Sequence, residues 1–174
     1  MTDLKSIIRD VPDFPKPGIV FKDITTLLRD PGALDRALNE LTAPYEGKHI
    51  DLVVGVESRG FIFGAAAARQ LKAGFVPVRK PGKLPAETVR EEYTLEYGTD
   101  AVEMHRDAIQ AGQKVLIMDD LLATGGTAAA TVALVEKLGG EVAGAAFLIE
   151  LVFLQGRKKL GGIPVHALIR YDAE

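Results

Sequence analysis

Between Val115 and Thr127 the chain reads Val-Leu-Ile-Met-Asp-Asp-Leu-Leu-Ala-Thr-Gly-Gly-Thr, and few folds accommodate that order. The apolar run Val115 to Met118 is too short for a helix but long enough for a buried strand, which is expected to end at Asp119 and Asp120. A loop of small residues follows and opens an Ala-rich helical segment that reaches Leu138. Open α/β sheets bind ligands beyond the carboxyl ends of their strands, so both carboxylates and the loop are expected at one crevice.

The loop's composition favours an anion. Gly125 and Gly126 let the backbone approach a ligand closely, and Thr124 and Thr127 add hydroxyls beside the unpaired amides of a helix start. A Walker A loop would place Lys where Gly126 stands, so a single phosphate fits better than a triphosphate. Asp119 and Asp120 would repel a second phosphate but accept hydrogen bonds from a vicinal diol. A diol and a phosphate on one small molecule describe a ribose 5-phosphate. Two competing readings stand beside it: acids that merely end a strand before a Gly-Gly turn, and a Walker B-like pair that holds a metal.

The run Asp119 to Thr127 resembles the phosphoribosyl pyrophosphate signature of the type I phosphoribosyltransferases, in the wording of their adenine-specific branch. The resemblance implies an α/β fold with a mostly parallel five-stranded sheet flanked by helices. It also implies a single domain over residues 1–174, with a small N-terminal hood over about 1–34 and a flexible flap over 80–100. Within the signature, Asp119 and Asp120 would hold the ribose hydroxyls, and Ala123, Thr124, Gly125, Gly126 and Thr127 the 5-phosphate.

Composition narrows the alternatives. At 174 residues the chain suits one domain with a sizeable core. A net charge of -3 gives no general attraction to nucleic acid or an anionic membrane. Cysteine is absent, which excludes disulfides and thiolate metal sites and fits a reducing compartment. No apolar run approaches the ~20 residues of a membrane helix, and the start has no signal-like apolar core, so a cytoplasmic protein is expected. His49, His105 and His166 lie far apart without ligand spacing, Ser6 and Ser58 sit in no nucleophile elbow, and no dinucleotide-binding Gly motif occurs.

Taken in order, Asp3 to Arg9 suits a short helix, and Pro12, Pro15 and Pro17 force an extended arm. Asp30 before Pro31 reads as an N-cap, with Leu34, Ala37, Leu38 and Leu41 forming one stripe until Pro44. The segment Pro17 to Thr25 resembles the family's hood. There Phe21 would stack on a purine while backbone groups of Val20 and Lys22 read its edge, although an ordinary core Phe is the competing reading.

Ile50 to Val56 reads as a second buried strand, turning through Glu57-Ser58-Arg59-Gly60 into a helix over Phe61 to Leu71. Its loop belongs on the same sheet edge as the signature. The resemblance assigns Ser58 and Arg59 to pyrophosphate, with Arg59 also catalytic; an Arg59–Glu57 ion pair is the alternative. Phe75 to Arg79 gives a third strand, and Lys80 and Lys83 follow in a basic loop that the resemblance also turns toward pyrophosphate. The resemblance also sets the Glu92 to Tyr97 stretch over the reacting atoms and makes Glu96, before Tyr97, a candidate for proton transfer with adenine, with surface charge on a helix or β-ribbon as its bland counterpart. Asp100 to Met104, Val142 to Ile149 and Val165 to Ile169 are further expected strands.

The activity so implied joins adenine to the sugar of phosphoribosyl pyrophosphate, giving AMP and pyrophosphate. Mg²⁺ is the implied cofactor, held mainly by substrate and water rather than by a protein cage, and a homodimer is implied. Two alternatives remain: transfer to hypoxanthine, guanine or xanthine, and a regulator that senses the donor without catalysis.

Overall fold

The computed structural model describes residues 3–95 and 98–173. Its N-terminal part comprises α1 (Leu4–Ile7), β1 (Arg9–Val11), β2 (Phe21–Asp23), α2 (Thr25–Leu28) and α3 (Pro31–Thr42). There follow β3 (Leu52–Val56), α4 (Gly60–Leu71), β4 (Gly74–Val78), β5 (Thr88–Thr94), β6 (Thr99–His105) and β7 (Lys114–Leu122). The chain closes with α5 (Gly126–Lys137), β8 (Glu141–Leu151) and β9 (Val165–Tyr171). Two 3₁₀ turns, Val152–Leu154 and Gly156–Leu160, connect the last two strands.

Five strands form one sheet in the order β4-β3-β7-β8-β9, and every neighbouring pair is parallel. The apolar runs are continuous because both faces of this sheet are covered. On one face Val53, Leu116, Met118, Ala146 and Leu148 meet Ala37 and Leu41 of α3 and Phe63 and Ala67 of α4. On the other, Val54, Val115, Ile117, Ala145 and Phe147 meet Leu134 and Val135 of α5 and Val89, Val102 and Met104 of β5 and β6.

Local chemistry sets the ends of these elements. The Asp30 carboxylate accepts from the amides of Gly32 and Ala33 at 2.9 Å, and Pro31 occupies the first turn of α3, as expected. The helix over Phe61 to Leu71 appears as α4, beginning one residue earlier. A shorter helix, α1, forms near the N-terminus, and β1 then pairs antiparallel with β2 across the proline-rich arm to give a small ribbon. Residues assigned only a short strand from Asp100 instead make a full antiparallel hairpin of β5 and β6, whose regular exposed charges hid the first strand.

The strand expected to stop at Asp119 does not stop there. β7 runs through both acids to Leu122, because its far side keeps pairing with β8 as far as Leu122 opposite Glu150. On its near side, pairing with β3 ends at Met118. Asp119 to Leu122 therefore border a sheet neighbour on one side and an opening on the other.

Phe63 is fully buried between α4 and the sheet. Phe63→Ala is expected to lower unfolding free energy by roughly 3–5 kcal/mol, and Asp30→Ala by about 1 kcal/mol, in urea titrations.

Candidate active site

The opening beside β7 is a cavity of about 360 Å³. Its wall is built from the β3–α4 loop with Ser58 and Arg59, the β7 end with Asp119 and Asp120, the loop Ala123 to Thr127, and Lys80, Tyr93 and Leu95. The two strand–loop–helix units thus open on one edge, as expected from their shared design.

Asp119 lies beneath the start of α4, where a methyl at Gly60 would come within 2.7 Å of its Oδ1. That oxygen accepts from the Asp120 amide at 2.8 Å. Loss of water around its carboxylate, and then the neighbouring Asp120 charge, push the Asp119 pKa well above the ordinary value. Asp120 is buried, and its Oδ2 accepts from Arg59 Nε at 2.5 Å. Arg59 therefore pairs with Asp120 and not with Glu57, while its guanidinium stands 5.2 Å from the centre of the Phe21 ring.

The signature loop bends at Gly125, whose φ of +81° is left-handed, and no side chain caps the following helix. Its first-turn amides consequently have no side-chain acceptor, and Gly126, Thr127 and Ala128 line the cavity. Gly125 also abuts the backbone of Gly156, which lies against the Ala123 carbonyl. Gly126 lies under the Tyr93 ring, where an added methyl would stand 3.0 Å from Cδ2.

Glu57 instead gathers the basic loop. It accepts from Arg79 Nε at 3.2 Å, from the Lys80 amide at 2.9 Å and from Lys83 Nζ. Lys80 Nζ donates to the Tyr93 hydroxyl at 2.8 Å and to Asp100 Oδ2. Lys80 lines the cavity, whereas Lys83 is not among the lining residues.

Val20 and Phe21 are half-buried in the N-terminal ribbon, and Phe14 meets Phe21 edge-on with ring centres 5.2 Å apart. The Lys22 side chain points elsewhere. It is buried, pairs with Asp10 at 2.9 Å and lies 4.2 Å from the Tyr171 ring centre. None of Val20, Phe21 and Lys22 lines the cavity; Phe21 is linked to the acid pair through Arg59. Glu96 lies outside the described residues.

Tyr93 and Asp100 lie within the stretch expected as a flap, but the sequence alone gives them no role of their own, and it gives Gly156 none. Tyr93 reaches the cavity because β5 pairs with β6, and that pairing sets Asp100 opposite Tyr93, where it holds the cavity-lining Lys80. Gly156 follows no spacing rule that would link it to Gly125. Among the described residues, no group of three or more His, Cys, Asp or Glu is arranged to hold a metal. No helix among them is long and apolar enough to cross a membrane.

Residues 25–160 match the family model of the phosphoribosyl transferase domain. The chain is 60% identical over 169 residues to an adenine phosphoribosyltransferase of Acidobacterium capsulatum, covering 97% of this chain and 93% of that one. The crystal structure of adenine phosphoribosyltransferase from Rhodothermus marinus superposes with a TM-score of 0.93 at 59% identity, covering 97% of this chain and 96% of the other. The Saccharomyces cerevisiae enzyme, complexed with an imino-altritol bisphosphate and adenine, gives 0.89 at 44% identity, covering 95% and 96%.

Asp119 yields a pH prediction. Its folded-state pKa exceeds its unfolded value, so the folded protein binds the extra proton and loses stability as pH rises above about 4, the ordinary carboxylate value. Asp119→Asn, neutral throughout, is expected to melt higher than the wild type at pH 8, with the gain vanishing near pH 4. Calorimetric melts at both values check it; a lower melting temperature at both pH values would contradict it.

Proposed function

Because the chain belongs to the adenine phosphoribosyltransferase family, we propose that it transfers the 5-phosphoribosyl group of phosphoribosyl pyrophosphate to adenine, giving AMP and pyrophosphate in purine salvage. One observation carries the reading: Asp119 and Asp120 line the same cavity as Ala123 to Thr127. A pentose phosphate spans both, its hydroxyls donating to the acids and its phosphate accepting from loop amides and the Thr124 and Thr127 hydroxyls.

The remaining roles follow from what each group already touches. Sugar hydroxyls that donate to Asp120 replace the hydrogen bond now made by Arg59, leaving the guanidinium to hold pyrophosphate with Ser58 and Lys80. Lys83 joins them if it leaves Glu57. Phe21 stacks on adenine beside the sugar, and backbone groups of Val20 and Lys22 read the base edge. The Lys22 side chain, engaged with Asp10 and Tyr171, holds the ribbon rather than the ligand.

The β5–β6 hairpin serves as the flap. Tyr93 and Leu95 already line the cavity and exclude water, which would otherwise attack the same anomeric carbon. Adenine forms its bond to that carbon from the face opposite departing pyrophosphate, through an oxocarbenium-like transition state, and Glu96 accepts the base's proton.

The residues present fit Mg²⁺ borne by the substrate. Such an ion needs one or two carboxylates besides phosphate and water, and an acid pair without a third acid offers that much. Asp119 and Asp120 are the carboxylates at hand, and the ion when bound would neutralise charge on the leaving pyrophosphate. We further propose a cytoplasmic homodimer, in keeping with the cysteine-free sequence and the family.

Purified protein supplied with Mg²⁺, the sugar donor and each purine in turn should form AMP from adenine and little product from hypoxanthine, since a mismatched base edge leaves buried polar groups unpaired. The reverse preference would overturn the base assignment, and donor binding without product from any purine would favour a sensor. Phe21→Ala should raise the KM for adenine roughly tenfold, the loss of one aromatic contact, while the donor's KM stays within about twofold.

A further inference from the structure

Behind the signature loop, on the side away from the cavity, lies the turn Gly156–Leu160. Gly156 and Gly125 touch backbone to backbone. A methyl on Gly125 would run into the Gly156 carbonyl, and one on Gly156 into the Ala123 carbonyl. The loop proposed to hold phosphate therefore rests on this turn with no side chain between them.

The turn is itself fastened. Arg157 donates through Nε and Nη2 to the two carboxylate oxygens of Glu150 at 2.5 and 2.6 Å, and through Nη1 to the Val165 carbonyl at 2.8 Å. Glu150 is only 3% exposed, lies one residue before the end of β8 opposite Leu122 of β7, and has Arg170 Nε 3.5 Å from its Oε2. At the turn's other end Leu160 is buried in the α5-side core. A two-pronged guanidinium–carboxylate contact fixes direction as well as distance, which a lysine's single ammonium does not.

We infer that Glu150 and Arg157 are positioning residues, which through Gly156 set the height of the Ala123 to Gly125 backbone and so the fit of the sugar phosphate. The pair touches no ligand; it acts on the loop from behind. This rests on the phosphoribosyl reading of the site and adds to it a reason why an acid and a base distant from the cavity should govern affinity for one end of the substrate.

The test uses Gly156→Ala and Arg157→Lys. Truncating Arg157 would strand the buried Glu150 carboxylate and can prevent folding. Gly156 has no left-handed φ, so alanine strains nothing of its own and presses only on its neighbours, chiefly the Ala123 carbonyl and the Leu122 side chain. Arg157→Lys keeps the charge and loses the fork. With ribose 5-phosphate as the probe, both variants should bind at least about tenfold more weakly by calorimetry, given how steeply a misplacement near 1 Å is felt. The KM for the sugar donor should rise in parallel while the KM for adenine stays within about twofold. A cooperatively unfolding variant with lower melting temperature but unchanged affinity and KM would overturn the inference. Wild-type protein that binds no ribose 5-phosphate would instead overturn the phosphoribosyl reading and, with it, this inference.

Discussion

The site depends on a strand that outlasts one of its partners. β7 loses β3 at Met118 yet stays paired with β8 to Leu122, so two consecutive acids are held in extended backbone at the mouth of a cleft. Alternation along a strand sends their side chains in different directions, Asp119 beneath Gly60 and Asp120 toward Arg59. Had the strand ended at Met118, the same acids would sit on a loop, with neither direction fixed. The sheet's pairing pattern thus supplies the rigidity that the proposed sugar-binding role of this pair would need.

Two acids so close raise each other's energy in the ionised form, and the molecule manages that cost asymmetrically. Asp120 takes the cation, whereas Asp119 takes a neighbouring amide and a raised pKa. The nearby lysines are treated alike: Lys80, in the cavity lining, engages Asp100, and Lys83, outside it, engages Glu57. On the proposed reading, an arriving phosphate would exchange one anion for another at these groups. Such exchange avoids desolvating a bare charge on binding and favours selectivity over raw affinity.

Local grammar made much of the fold legible. Asp30-Pro31 announced α3, the Val-Leu-Ile-Met run announced the centre of the sheet, and the Gly-Gly pair announced the start of α5. Each is a feature whose physics is settled within a few residues. The β5–β6 hairpin was only half legible, because β5 carries three consecutive charged residues, Arg90 to Glu92, and its buried face is supplied by Val89, Val102 and Met104 acting across the pair. Arg59 shows the limit within the site. Its neighbour Glu57 was the obvious partner by proximity in the chain, but Asp120, 61 residues away, is its partner in space.

What sequence spacing conveys least is close approach between backbones, and here it matters most. Gly60 admits the Asp119 carboxylate, Gly126 admits the Tyr93 ring, and Gly125 admits another glycine's carbonyl. Of the three, only Gly125 also needs its left-handed φ, so a motif rule based on conformation would explain that residue alone. The other two are small because something must pass where a side chain would be. Gly156 belongs with them, since its missing side chain lets the Glu150–Arg157 fork press a rigid turn directly against the signature loop. A loop of small residues is pliable by itself; packed against glycine from behind and against Tyr93 of the β5–β6 hairpin, it is confined on both sides, and that confinement is what would let flexible residues form the proposed anion site.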